Sequence, residues 1–282
     1  MSIKMRTLSL GYSPCPNDTF IFYALVHGKI DTGGLKFKEI LLDVETLNLS
    51  AMKRELDITK VSYNAFGNLR DDYCLLRSGG ALGRGCGPLV VASKECEMKD
   101  LKGKTIAIPG ELTTAYLLLQ LYDPDFRSNV KAMPFHEIMG AVKEGKADAG
   151  LIIHEGRFTY SSYGLKKIID LGAWWEKETD MPIPLGCIIA ERSLGIDVIS
   201  KIERLIRESV QYAMSRPEML GVKYIKEHSR ELDDSVIDEH IKLYVNDYSI
   251  DLGDDGIRAV RKLLDMAEER GIIKKSSKPV FV

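Results

Sequence analysis

The sequence predicts an α/β fold of two lobes, with mixed, largely parallel sheets and a cleft between the lobes. Three observations carry this. Apolar runs of strand length alternate with longer amphipathic stretches over the first two thirds of the chain, the pattern of repeated βαβ units. The 282 residues exceed one average domain of roughly 150 residues and suit two. Two strand-like runs, 89–92 and 185–190, bracket a middle segment and are placed as crossings between lobes. This assigns 1–92 and 188–282 to a larger discontinuous lobe and 93–187 to a smaller middle lobe. A ligand is then expected in the cleft, beside loops at the carboxyl ends of strands.

The elements follow in order. Residues 8–12 read as a strand and 18–27 as a helix crowded by Phe20, Phe22, Tyr23 and Leu25. Residues 35–42 form a second strand, and 44–56 a helix with Leu47, Met52 and Leu56 on one side. A short strand at 58–61 and a helix at 63–73 complete the first series. Five glycines then fall within ten residues, between Gly79 and Gly87, before the apolar run 89–92. The second series has strands at 105–108, 130–133, 149–153 and 168–171, with helices at 114–121 and 137–144. After the run 182–190 the chain reads as helix: Ile202, Leu205, Ile206, Val210 and Met214 recur at helical spacing, and further helices cover 234–245 and 254–269.

Bulk properties exclude several classes. The composition is 45% hydrophobic and 28% charged, ordinary for a globular chain that buries a normal core. A net charge of −2 leaves no electrostatic footprint for nucleic acid. No stretch reaches the roughly 18 apolar residues of a membrane span. The first residues lack the charged and apolar regions of an export signal, so a cytoplasmic protein is expected. Five scattered cysteines, none in a C-x-x-C pair, fit reduced thiols rather than a disulfide framework or a zinc site.

Several segments can carry chemistry. In Ser13-Pro-Cys-Pro-Asn-Asp-Thr-Phe20 a strand ends in a proline loop before a helix that Asn17 or Asp18 can cap. The alternatives are a plain capped turn and a loop lining the cleft, with Asn17 at the substrate. In 109–120 a glycine turn leads into a helix starting at Thr113 and Thr114. Two hydroxyls, free amides and the helix dipole there suit a carboxylate, although one threonine alone can serve as an N-cap. His154 follows an apolar strand directly, and its ordinary pKa of about 6.5 suits proton transfer at neutral pH. His27, His136, His228 and His240 lie in or beside helices and are weaker candidates. The glycine-rich segment lacks dinucleotide-site spacing, and its glycines suit close backbone packing; Arg84 beside them can meet an anion. Trp174 and Trp175 suit either core packing or the faces of a flat substrate. P-loop, zinc and nucleophile-elbow patterns are absent.

Taken in order, SPCPNDTFIFYAL, DVETLN, GGALGRGCGPLVV, TTAYLLL, GLIIHEGRFTY, LGAWWE and PIPLG resemble the 1,4-dihydroxy-6-naphthoate synthase family from about Leu8 to the last residues. The resemblance implies a type II periplasmic-binding-protein-like fold and a place in the futalosine route to menaquinone. It implies conversion of cyclic dehypoxanthinyl futalosine to 1,4-dihydroxy-6-naphthoate with release of a three-carbon fragment and without a cofactor. It makes His154 the proton acceptor, places Thr59, Lys60, Val61 and Ser62 at a strand-to-helix turn that meets the substrate, and makes Thr113 and Thr114 the second contact. Lys60 can act through its side chain or its backbone. The expected partner is a small anionic molecule, neither nucleic acid nor membrane. Three rivals share parts of this reading: a solute-binding protein for small anions, an effector-sensing domain, and a chorismate dehydratase of the same pathway. The IIHE and AWWE segments favour the synthase.

Overall fold

The computed structural model describes residues 6–216, 218, 223–229 and 233–281. Two sheets organise them. The first runs in the order β2 (Leu35–Leu41), β1 (Arg6–Tyr12), β3 (Ile58–Ser62), β11 (Ile183–Glu191), β4 (Tyr73–Leu75), with β5 (Ala81–Gly83) also paired to β11. The second runs β10 (Lys166–Asp170), β6 (Leu89–Ala92), β9 (Ala149–Ile152), β7 (Ile106–Ile108), β8 (Val130–Ala132). Pairs β1–β2, β1–β3, β7–β8 and β7–β9 are parallel. Each antiparallel pair involves β6 or β11, the two strands entered from the other sheet. The sheets are therefore more evenly mixed than "largely parallel" implied, because the crossing strands run against the βαβ direction.

Sheet membership also moves the crossings. Leu89–Ala92 lies wholly in the second sheet and Ile183–Glu191 wholly in the first. The chain thus changes sheet within 84–88 and returns within 171–182, rather than at residues 92 and 187. The glycines of the first crossing permit this. Gly87 and Gly172, one beside each crossing, pack backbone to backbone, and a Cβ on Gly87 would lie 2.3 Å from the Gly172 Cα.

Strand alternation explains the continuous apolar runs, since both faces of each sheet are covered. In β11, Cys187 and Ile189 enter one core while Ile188 and Ala190 enter another. In β6, Val90 and Ala92 face the first core while Leu89 and Val91 face a third. Helices α1 (Pro16–Val26) and α8 (Ile196–Met214) cover the outer face of the first sheet, together with α9 (Lys223–His228) and α10 (Asp234–Tyr244). α3 (Tyr63–Leu69), α4 (Thr114–Tyr122), α7 (Leu171–Thr179) and α12 (Gly253–Glu269) share the core that joins the two sheets. α5 (Ile138–Lys143) closes the far side of the second sheet. Each large aliphatic side chain so buried contributes about 1.5–3 kcal/mol.

Local differences from the sequence reading have local causes. α2 (Val44–Met52) stops early because Arg54 turns into the left-handed region at φ 59°. The stretch 63–73 splits into α3 and then β4, which pairs with β11. Within the described residues no helix is long and apolar enough to cross a membrane.

Candidate active site

A cavity open to solvent lies between the sheets. Its wall includes Ser13, Asn17 and Asp18 from the β1–α1 loop and α1, Lys60, Val61 and Ser62 from β3, Thr113, Thr114 and Ala115 at the start of α4, and His154 after β9. Strands β1, β3, β7 and β9 all deliver these residues at their carboxyl ends, as open α/β sheets do. Val44, Leu47, Pro88, Ile153, Leu185 and Tyr244 make most of the remaining wall apolar. Such a lining suits a flat, largely apolar molecule carrying a few polar groups. Of the predicted contacts, only Thr59 is missing from this wall. It is fully buried, its Oγ1 donates to the Lys60 carbonyl at 3.1 Å, and it lies against Gly11 of the neighbouring strand β1.

One buried polar chain crosses the first-sheet side of the cavity. Lys60 Nζ pairs with Asp18 Oδ1, with the two side chains only 9% and 2% exposed. Lys60 is the single lysine or arginine among the described residues of the wall. Ser13 Oγ donates to Asp18 Oδ2 at 2.7 Å, and Asn17 Nδ2 donates to Asp18 Oδ1 at 2.8 Å. A carboxylate only accepts, so the Asn17 amide group faces Asp18 and its Oδ1 faces His240. His240 Nε2 must therefore donate to Asn17 Oδ1, across 2.9 Å. The other ring nitrogen, Nδ1, has no hydrogen-bond partner among the described residues. Asn17 and Asp18 do not cap α1 as expected: the helix begins earlier, at Pro16, and Cys15 occupies the cap position without a side-chain bond. Proline at the first helical position explains the early start.

His154 sits on the opposite wall. It leaves β9 in the left-handed conformation, φ 55°, which histidine tolerates better than most side chains but which still carries strain. The ring is fixed by neighbours on several sides. Phe135 is tilted against it at 5.1 Å, and the His240 ring lies parallel at 6.2 Å. Cys15 Sγ is 3.9 Å from Nδ1. Burial pushes the His154 pKa below its ordinary value, while the charges of Glu155 and Asp18 oppose that fall and Lys60 adds to it. Burial also holds the Cys15 thiol protonated, so no thiolate–imidazolium pair forms. The imidazole is then neutral near pH 7 and has a lone pair to offer. A second cavity shares Ser13, Val44 and His154 with the first, so His154 stands where the two meet.

The two threonines are at the cavity wall but their hydroxyls are occupied. Thr113 caps α4, accepting from the Tyr116 amide and donating to the Gly110 carbonyl at 2.8 Å. Thr114 Oγ1 donates to the Leu185 carbonyl at 2.6 Å and accepts from the Tyr63 amide at 2.8 Å. What they offer a ligand is the backbone of the first helical turn, whose amides lack intrahelical acceptors. Ser62 differs: its Oγ accepts from Asn48 Nδ2 at 3.2 Å, leaving its own proton to donate into the cavity.

Relatives of the chain agree with this architecture. A family profile described as "Menaquinone biosynthesis" matches residues 8–269. The 1,4-dihydroxy-6-naphthoate synthase of Thermus thermophilus is 49% identical over 99% of this chain and 100% of its own length. The synthase of Streptomyces coelicolor is 48% identical over 95% of each chain. The chain belongs to the naphthoate synthase family of menaquinone biosynthesis. A solved Archaeoglobus fulgidus protein superposes with a TM-score of 0.88 at 39% identity, covering 95% of this chain and 98% of that one. The alkanesulfonate-binding protein of Xanthomonas axonopodis pv. citri, bound to MOPS, superposes at 0.69 with 14% identity, covering 95% and 94%, and shares the periplasmic-binding-protein fold.

Within this naphthoate synthase family member, other sequence candidates fall outside the cavity. Trp175 is fully buried and donates to the Pro182 carbonyl at 3.0 Å, and Trp174 packs edge-on against Tyr122. Arg84 donates to the Asp180 carbonyl. Conversely, the polar scaffold behind the wall holds Asn48 and Glu45, which the sequence did not single out, and His240, which it ranked among the weaker candidates. His240 sits on an amphipathic helix with an apolar face, where a histidine resembles any half-buried residue.

Proposed function

We propose that the chain is a cytoplasmic carbon–carbon lyase that converts cyclic dehypoxanthinyl futalosine to 1,4-dihydroxy-6-naphthoate. The observation that carries this reading is a buried imidazole, His154, lining the same cavity as Ser62, Lys60 and the first turn of α4 and facing them from the opposite wall, where burial favours its neutral form. An anionic bicyclic substrate fits such a site, with its flat ring against Leu47, Ile153, Leu185 and Tyr244. The carboxylate is held by Ser62 and the amides of Thr114 and Ala115.

In the proposed step, His154 takes a proton from a hydroxyl of the sugar-derived part. A carbonyl forms at that carbon as the adjacent C–C bond breaks, and the bond's electron pair passes to the ring carbon. The three-carbon fragment leaves, the ring system becomes aromatic, and the imidazolium returns its proton. Electrons balance within the substrate, so the step requires no cofactor. Burial keeps His154 neutral until the substrate proton arrives, with Glu155 and Asp18 opposing that effect and Lys60 adding to it. A positioned base of this kind contributes about 10²–10⁴-fold.

The test is incubation of purified protein with cyclic dehypoxanthinyl futalosine, and separately with chorismate, with products identified by mass. Formation of dihydroxynaphthoate plus a three-carbon product supports the reading. Futalosine substrate returned unchanged, or dehydration of chorismate, overturns it. His154→Gln is expected to lower kcat by about 10²–10⁴-fold while binding persists; undiminished turnover in that variant removes His154 from the mechanism.

A further inference from the structure

Behind the cavity wall a carboxylate joins the two sheets. Glu45 lies in the first turn of α2, which packs beside β3 of the first sheet. Its Oε1 accepts from the backbone amide of Leu112, in the turn before α4 of the second sheet, at 3.0 Å. Its Oε2 accepts from Asn48 Nδ2 at 2.9 Å. Asn48 is fully buried and cannot reverse its amide, because its Oδ1 accepts from the Ser62 amide at 2.9 Å. The turn is shaped around the carboxylate: Gly110 has φ 153°, and a Cβ there would lie 2.3 Å from the Glu45 carboxyl carbon. Asn64 Nδ2 donates to the Glu111 carbonyl at 2.9 Å and reinforces the same junction.

This bears on how the cavity grips an anion. The threonine hydroxyls are spent within the protein, so the amides of the first turn of α4 are the gripping groups on that side. Their direction depends on the turn 110–113. On the other side the gripping group is Ser62, whose amide and hydroxyl both meet Asn48. Among the described residues Glu45 is the group that hydrogen-bonds to both the turn and Asn48. An ordinary acid placed for the dipole of α2 requires neither contact.

We propose that Glu45 is a positioning residue: through Leu112 on one sheet and Asn48–Ser62 on the other, its carboxylate sets the two jaws that hold the substrate carboxylate. This rests on the reading of the cavity as the substrate site. Glu45 does not line the cavity and takes no part in bond breaking. Burial raises its pKa, while Asn48 and the amides of Leu112 and Glu111 draw it back down, so the anion is maintained by these partners.

Glu45→Gln tests this. One carboxylate oxygen becomes an NH₂ group and confronts a donor, either the Leu112 amide or the locked Asn48 amide. Loss of a charge-assisted hydrogen bond is expected to raise KM about 10- to 100-fold, with kcat changed less than about threefold. In the substrate-free protein, hydrogen exchange at the Leu112 amide is expected to quicken by a similar factor. Adding Asn48→Asp reverses the donor–acceptor order and restores slow exchange in the double variant. Should Glu45→Gln not fold, Glu45→Asp, too short to span both partners, is expected to show the same two changes. Unaltered KM and Leu112 exchange, or exchange that Asn48→Asp does not restore, overturns the proposal. The exchange measurement needs no substrate, so it judges Glu45 even if the futalosine reaction proves wrong.

Discussion

Neutralising Asp18 alone leaves the Lys60 ammonium buried without its counter-charge, and the cost can be worked from the structure. Asp18 accepts from Lys60, Asn17 and both donors of Ser13, and its side chain is 2% exposed. Breaking a buried pair from one side costs about 3–5 kcal/mol, because the remaining charge has neither partner nor water. Unfolding entropy of about 2.1 cal/mol/K per residue gives roughly 0.6 kcal/mol/K for a chain of this length. Asp18→Asn should therefore lower Tm by about 5–8 °C, and Lys60→Met by a similar amount. The double variant removes both charges together. It should lose much less than the two singles combined, a coupling of about 2 kcal/mol or more. Calorimetry on the four proteins measures the cycle directly. If each single variant melts with the wild type, or if the double loss equals the two single losses added, the pair is not the buried, mutually dependent unit described above.

Further outcomes follow from other residues. Burial lowers the pKa of both His154 and His240, so the acid limb of kcat/KM is expected below pH 6.5; a limb at or above that value contradicts a desolvated base. In the unfolded chain both histidines regain their ordinary affinity for protons and bind more than the folded protein does. Stability should therefore decline as pH falls through about 6.5, which urea midpoints at neutral and mildly acidic pH will report. Gly87→Ala places a methyl group 2.3 Å from the Gly172 Cα and should cost about 1–3 kcal/mol in denaturant titration, since backbone cannot yield as a side-chain tip does. Thr59→Val removes a hydroxyl that bonds only within β3. It should cost about 1 kcal/mol and leave KM unchanged, whereas a raised KM would return Thr59 to the substrate wall.

The parts of the fold legible in sequence are those set by local pattern. The βα alternation reads directly from runs such as 58–61 and 149–153, and the helical spacing of Ile202, Leu205, Ile206 and Val210 matches the buried stripe of α8. His154 was visible because an apolar strand ends at a polar, titratable residue. β4 and β5, three residues each, were hidden because nothing within them specifies pairing; their strand partner, β11, lies more than a hundred residues later, and the bridge from Leu75 to Phe281 lies later still. The polar scaffold was hidden for the same reason. Glu45 meets Leu112 across 67 residues and His240 meets Asn17 across 223, and neither spacing leaves a periodic trace.

Thr113 and Thr114 show why a helix-start motif does not by itself fix which of its atoms are open to a ligand. A helix start that binds an anion and one that is merely capped use the same residue types, because both satisfy the same unpaired amides. Adjacent threonines therefore read equally as cradle or cap. Position in the fold decides: β3 pairs with β11, which brings the Tyr63 amide and the Leu185 carbonyl to either side of Thr114 Oγ1. That hydroxyl is then filled by the protein itself, and in the proposed binding mode the backbone amides beside it hold the anion. Thr114→Ser, which keeps the hydroxyl, should bind substrate nearly as the wild type does. Thr114→Val should lose about 1–3 kcal/mol of stability, because it strands two buried backbone groups. A Val variant that melts normally but loses binding would instead place the hydroxyl on the substrate.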